Sequence, residues 1–154
     1  MQNLKVELDA TNRRILAELA ADARISFSEL GRRVGLTSPA VAERVRRLED
    51  AGIIRGYHAD INLSKLGYPI VVFISISFGS TQFPPIADFA LQHPGVLEVF
   101  HITGDKDAMI KARLQSVEQL EAFLKKLVQF GKFSTAIVLD HEAGELTRLI
   151  LDGS

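Results

Sequence analysis

Between Arg24 and Arg55 seven arginines face four acids, Glu29, Glu43, Glu49 and Asp50, a local surplus of three positive charges in a chain of formal net charge −1. Guanidinium groups at this density suit phosphates and guanine edges, whose paired acceptors match the planar arginine fork. The same density also suits an ordinary solvated helix face. A second group with usable chemistry is Gly104-Asp105-Lys106-Asp107. Backbone N–H groups of a glycine-containing turn can take a carboxylate, and Asp105 or Asp107 can pair with an ammonium group. The plain alternative is that these residues only reverse the chain. Other candidates are weak: His58, His93, His101 and His141 fall at no metal-ligand spacing, and Asp105-x-Asp107 offers too few oxygens for a hard cation. No phosphate-cradling loop or nucleophile elbow is present, and no acid, base and nucleophile can be named at workable spacing. No catalytic residue, metal or cofactor is therefore expected. The chain has no cysteine, which excludes disulfides, zinc thiolates and cysteine nucleophiles.

The arginines sit in a segment that reads as three helices. Asp9 can cap the first, whose apolar positions Ile15, Leu16, Leu19 and Ala20 follow the 3.6-residue period. Ser26-Phe27-Ser28-Glu29 has the spacing of a capping box and opens the second, which places Leu30 and Val34 one turn apart. Gly35 stops that helix, because glycine accepts the left-handed conformation a helix end often needs. Thr37 can cap the third, with Pro39 tolerated in its first turn. Only Gly35, Leu36 and Thr37 separate the second helix from the third. Two short helices joined by a tight turn after a supporting helix form a helix-turn-helix.

On the third helix Val41, Val45 and Leu48 share one arc, while Pro39, Glu43, Arg46, Arg47 and Asp50 point away from it. Ser38 and Ala40 lie at the N-terminal tip. The tip and outward face are the parts of such a helix that approach a major groove. Arg46 and Arg47 suit phosphates or guanine edges; Glu43 could accept from a cytosine amino group or orient a neighbouring arginine. Arg44 lies nearer the core flank, where it would snorkel or meet the backbone. Ser38, Pro39, Ala40, Glu43, Arg44, Arg46 and Arg47 are the candidate contacts to double-stranded DNA.

The chain has 154 residues, 47% hydrophobic and 24% charged, which fits a soluble globular protein of one large or two small domains. Arginine dominates the basic residues up to about residue 60 and lysine those after it, so a boundary is expected there. Residues 1–54 form the helical head, with a short extended piece from Ile53 to Tyr57. A linker follows over 55–66, and a second domain over 67–154. In the second, residues 72–78 alternate as a strand, and Pro84 and Pro85 open a helix carrying Ile86, Phe89 and Ala90. Residues 96–103 and 108–114 read as strands around a tight turn, a helix carries Val117, Leu120, Leu124 and Leu127, and residues 135–139 close as a strand. The order β-α-β-β-α-β is that of a ferredoxin-like sandwich, so the fold class is α+β; that fold assigns no function by itself. The first 30 residues lack the apolar stretch of a signal peptide, and the longest apolar run, residues 69–78, is about half a membrane span. A soluble, cytoplasmic protein with no membrane partner is expected.

The chain resembles the Lrp/AsnC family, the leucine-responsive and asparagine regulators also called feast/famine transcription factors. The resemblance rests on Leu8-Asp9, Ile15-Leu16, Ser28-Glu29-Leu30-Gly31, Val34-Gly35-Leu36-Thr37 and the long, highly specific run from Glu43-Arg44-Val45-Arg46-Arg47-Leu48 to Glu49-Asp50-Ala51-Gly52-Ile53-Ile54. In the second half it rests on Pro94-Gly95-Val96, Gly104-Asp105-Lys106-Asp107 and Thr135-Ala136-Ile137-Val138-Leu139. It implies a DNA-binding head, a hinge, and a sandwich that forms a homodimer, assembles further to an octamer, and binds a small molecule, often an amino acid, between sandwiches. Gly104, Asp105, Lys106, Asp107, Thr135 and Ala136 are then the candidate effector contacts. Lys106 and Ala108 stand where relatives often carry larger, frequently aromatic residues, so the effector itself stays unassigned. Two other readings are an effector-independent, DNA-organising architectural protein and a ferredoxin-like enzyme or enzyme-regulatory domain.

Overall fold

A polar side chain starts each of the first three helices. The Asp9 carboxylate accepts from the Asn12 amide at 2.6 Å and opens α1 (Ala10–Ala21). Ser26 Oγ accepts from Glu29 N at 3.2 Å and opens α2 (Phe27–Val34). Thr37 Oγ1 accepts from Ala40 N at 3.4 Å and opens α3 (Ser38–Asp50), with Pro39 in its first turn. Each cap satisfies an amide that has no partner inside its helix and contributes about 1 kcal/mol. The capping box of α2 is only half made, because the Glu29 carboxylate bonds Arg32 and Arg33. Those charge-assisted bonds outcompete a neutral backbone donor. Gly35 ends α2 in the left-handed conformation, φ 74°.

The structure, a computed structural model, describes residues 6–78 and 86–152. The chain divides into two units, Met1–Asp60 with Glu142–Ser154, and Ile61–His141. In the first, Ile15, Leu19, Leu30, Val34, Val41, Val45 and Leu48 form one buried cluster. Ala20, expected on the apolar face of α1, is exposed, and Ala17 is buried instead. The reason is a second contact: α6 (Leu146–Asp152) packs on α1, and Arg13 Nη1 donates to the Ile150 carbonyl at 3.1 Å. Arg13 and Ala17 are one turn apart on that side. Residues 142–154, expected with the second domain, thus group with the head.

The piece expected to be extended from Ile53 to Tyr57 pairs with no strand among the described residues. Ile53 N and Ile54 N both donate to the Leu48 carbonyl, at 2.9 and 3.1 Å, and close the end of α3. Tyr57 Oη donates to Glu49 at 2.8 Å, and burial together with that bond pushes the phenol up to about 12. The expected linker is divided between the units after Asp60, and its second part holds a 3-10 turn, Leu63–Leu66, capped by Asn62.

The second unit runs β1 (Ile70–Ser77), α4 (Ile86–Leu91), β2 (Val96–His101), β3 (Ala108–Leu114), α5 (Val117–Leu127) and β4 (Lys132–Ile137), the expected ferredoxin-like order. Pro84 and Pro85 lie outside the described residues. The antiparallel sheet has the order β2-β3-β1-β4, with Ile74 opposite Ile110 on one side and Thr135 on the other. β4 starts three residues earlier than the alternation predicts, because Lys132, Phe133 and Ser134 pair with Ser77, Ile76 and Ser75 at the sheet edge. An edge strand exposed on both faces leaves no apolar alternation to read. One sheet face, Val72, Ile74, Ile76, Ala108, Ile110, Ala112 and Leu114, packs with Ile86, Ala90, Leu120, Phe123 and Leu127. The opposite face carries Val71, Phe73, Met109 and Phe100 together with Lys111 and Arg113, and Arg113 Nη1 donates to Ser64 Oγ of the 3-10 turn at 3.1 Å.

Candidate nucleic-acid interface

The buried stripe Val41, Val45 and Leu48 fixes which way α3 faces. Ser38 and Pro39 are exposed at its tip, with Ala40 half-buried behind them. Arg46 and Arg47 stand outward, their side chains 61% and 64% exposed. Between them and the tip lies Glu43. Its carboxylate accepts from Arg46 Nη2 at 2.9 Å and from Arg47 Nε at 2.9 Å, while Arg46 Nη1 reaches Asp50 at 3.0 Å. The bonds from Arg47 and then Arg46 hold the Glu43 carboxyl below its ordinary range. The same construction recurs on α2, where Glu29 accepts from Arg32 Nη2 at 2.7 Å and Arg33 Nε at 2.8 Å, and Arg33 Nη1 reaches Glu18 at 2.7 Å. Arg32 and then Arg33 pull the Glu29 carboxyl down to about 2.

Arg44 is turned differently from the other candidates. Its Nη1 donates to Asp9 Oδ2 at 2.8 Å and to Asn12 Oδ1 at 3.0 Å. Asn12 is buried and spends its own N–H₂ on the Glu7 carbonyl at 2.7 Å. The Asn12 amide bond and then Arg44 lower the Asp9 carboxyl. Arg44 therefore ties the recognition helix to the capping residue of α1. An open groove of about 700 Å³ runs beside this tie, lined by Val6, Ala40, Glu43, Arg44 and Arg46 among others. Sequence reading missed Asp9 and Asn12 as partners of Arg44. The only signal was an asparagine in the first turn of a helix, where its side chain competes for backbone partners.

At the tip of the β2–β3 hairpin, Asp107 Oδ2 accepts from Phe78 N at 2.8 Å and Asp107 N donates to the Ile76 carbonyl at 2.9 Å. Ser77 Oγ donates to the Asp105 carbonyl at 3.0 Å, so the turn is laced to the end of β1. The Asp105 side chain is 91% exposed and Lys106 Nζ approaches it only to 3.8 Å. Gly104 is exposed. Thr135 and Ala136 lie on β4, opposite Ile74 and Phe73, and β1 stands between β4 and the hairpin in the sheet. A single copy of the chain thus keeps the two groups of candidate effector residues on strands separated by β1. Among the described residues no three His, Asp or Glu gather as a metal site, and no helix is long and apolar enough to cross a membrane.

Comparison with known proteins matches both units. Residues 8–49 match the AsnC-type helix-turn-helix domain and residues 71–143 the Lrp/AsnC ligand binding domain. An uncharacterized HTH-type transcriptional regulator of Bacillus subtilis, YezC, is 41% identical over 86% of this chain and 94% of its own length. The leucine-responsive regulatory protein of Rhizobium meliloti is 36% identical over 79% of this chain and 80% of its own. Among solved structures, Bacillus subtilis LrpC superposes with a TM-score of 0.83 at 29% identity, covering 90% of this chain and 99% of that one. A transcriptional regulator of Neisseria meningitidis in complex with L-Met superposes with a TM-score of 0.84 at 26% identity, covering 92% and 96%.

Proposed function

The chain belongs to the Lrp/AsnC family of transcriptional regulators, and on that footing we propose that it acts in the cytoplasm as a sequence-specific regulator whose assembly and DNA affinity respond to an amino acid. It is a regulator with a helix-turn-helix and a ligand-binding domain, not an enzyme. The observation that carries the DNA reading is the outward pair Arg46 and Arg47 on a helix whose other face is wholly buried. Ser38, Pro39, Ala40 and Glu43 complete the contact surface, and Arg44 acts by holding the helix in place. Arg46→Ala and Arg47→Ala are expected to weaken operator binding. A base-reading arginine costs about 1–3 kcal/mol and relaxes specificity at one position; a phosphate-binding one lowers affinity for all sequences and reduces the salt slope by about 1. Unchanged binding in both variants removes α3 from the interface.

The partners proposed for the second unit are a second copy, dimers assembling to an octamer, and the amino-acid effector. Support for the effector comes from the neighbour crystallised with L-Met and from the exposed turn at Gly104, Asp105 and Lys106. Because β1 separates the turn from Thr135 and Ala136, the ligand sits where the turn of one protomer meets a neighbouring copy. Asp107 spends Oδ2 on Phe78 N, and Asp105, its side chain 91% exposed, is the more accessible of the two carboxylates for an ammonium group. Calorimetric titration with the twenty amino acids tests this. Asp105→Ala should abolish the heat while leaving the fold intact. Asp107→Ala should loosen the hairpin as well, visible as a lower Tm. Heat that persists unchanged in Asp105→Ala moves the site elsewhere, and no heat in the wild-type protein favours an architectural, effector-free role.

A further inference from the structure

We propose that Glu43 is a specificity-determining residue of the recognition helix, acting by penalising DNA that offers it no amino donor. The inference rests on the DNA-binding reading of α3. Its starting point is a repeated spacing, Glu29-x-x-Arg32-Arg33 on α2 and Glu43-x-x-Arg46-Arg47 on α3. In each, one carboxylate lies i to i+3 and i to i+4 from two arginines and bonds both, Glu29 at 2.7 and 2.8 Å and Glu43 at 2.9 and 2.9 Å. With Glu18 on Arg33 and Asp50 on Arg46, each cluster holds as many carboxylates as guanidinium groups. The positive surplus of the head is therefore cancelled on the surface that would meet the duplex.

Two consequences follow for α3. A phosphate or guanine edge must take Arg46 and Arg47 away from Glu43, so the electrostatic attraction that drives sequence-independent binding is weakened at its source. Once released, Glu43 faces the groove as an acceptor-only group. In the major groove its donors are the amino groups of cytosine and adenine, and a pairing of acid to cytosine N4 is established base chemistry. At a site presenting such a donor the carboxylate exchanges one partner for another. At any other site it is left beside the phosphates without one, a like-charge arrangement that costs affinity. Glu29 differs because α2 crosses the backbone and reads no base edge. Its carboxylate opposes binding to all duplexes alike.

The test uses the full-length protein, a duplex selected by the wild type from a random-sequence library, and an unselected random duplex of equal length. Glu43→Gln should raise affinity for the random duplex about tenfold at low salt and steepen its log K against log salt slope by up to about 1.8, the value for two freed arginines reaching phosphates. Affinity for the selected duplex should fall or stay level, so the ratio between the two collapses. Glu29→Gln should raise affinity for both duplexes and leave their ratio unchanged. Equal random-duplex affinity and slope in wild type and Glu43→Gln would overturn the proposal, as would a ratio that falls equally in both variants. A wild-type protein that enriches no duplex at all fails earlier, and sinks the DNA-binding reading itself. A thermal melt of Glu43→Gln within a degree or two of wild type separates these effects from a helix loosened by the loss of exposed pairs.

Discussion

Gly31→Val is expected to remove DNA binding by disrupting the joint between α2 and α3. A Cβ at Gly31 would lie 2.5 Å from the Leu36 carbonyl oxygen and 3.4 Å from the Thr37 carbonyl carbon. Both are main-chain atoms of the turn, so no rotamer change relieves the clash. The Leu36 amide also donates back to the Gly31 carbonyl at 2.9 Å, and the close approach is what lets that bond form. Helix propensity argues the other way, since alanine replaces glycine inside a helix with a gain of about 1 kcal/mol. Overpacking against a fixed backbone costs about 1–3 kcal/mol for small insertions, and a branched side chain meets more of it. The clash wins. Gly31→Ala should already lower the head's stability and Gly31→Val should lower it further, to the point where duplex retention is lost. Gly35→Ala provides the scale: nothing lies within 4 Å of its Cβ, but φ of 74° costs a non-glycine residue about 1–2 kcal/mol. Thermal unfolding should rank Gly31→Val below Gly35→Ala, and a Gly31→Ala protein more stable than wild type would refute the packing argument.

Gly31 also marks how much of the molecule could be read in advance. Gly35 was legible because a stop glycine after an apolar period has a local cause. Gly31 was not, because its requirement comes from a residue five positions away after the chain has turned. The same division holds elsewhere. Caps at Asp9, Ser26 and Thr37 and the outward stance of Arg46 and Arg47 depend on helical spacing alone, and the structure carries them as expected. The tie of Arg44 to Asp9 and Asn12 spans more than thirty residues and leaves no periodic trace. Likewise α6 has Leu146, Leu149 and Ile150 at helical spacing, a pattern that was available, but that it would pack on α1 was not. Asp107 shows the limit most plainly. Its residue type suits a ligand-binding carboxylate, yet the carboxylate is engaged with the Phe78 amide, a partner 29 residues away.

If the protein assembles as proposed, Phe73→Lys is expected to turn it into monomers without unfolding them. Phe73 sits on the central strand β1 and points to the sheet face opposite the buried cluster, as the buried neighbours Val72 and Ile74 require. Val71, Met109 and Phe100 share that face, with Phe100 39% exposed. A sheet face that lies opposite its own helices and carries a central apolar group rimmed by Lys111, Glu98 and Arg113 is what a second copy would bury, so Phe73 is placed at the centre of the proposed dimer contact. Truncating a central aromatic in such an interface costs about 2 kcal/mol or more, roughly a factor of 30 in Kd. Lysine adds a charge directly opposite Lys111, whose own amino group is held by Glu98 at 2.8 Å. Burying that ammonium between two copies adds a desolvation cost to the lost aromatic contact. A rise of at least about 100-fold in the dimer Kd is therefore expected, read by sedimentation over a concentration series. Since Phe73 lies outside the buried cluster, circular dichroism should keep the wild-type strand and helix signals. Val117→Lys, at a position 49% exposed on α5, should leave assembly unchanged. The monomer should also lose any heat of amino-acid binding, because β1 keeps the Gly104–Asp107 turn and Thr135–Ala136 apart within one copy. Wild-type sedimentation by Phe73→Lys would move the dimer contact off this face, and a monomer that still binds the amino acid would place the effector site within a single protomer.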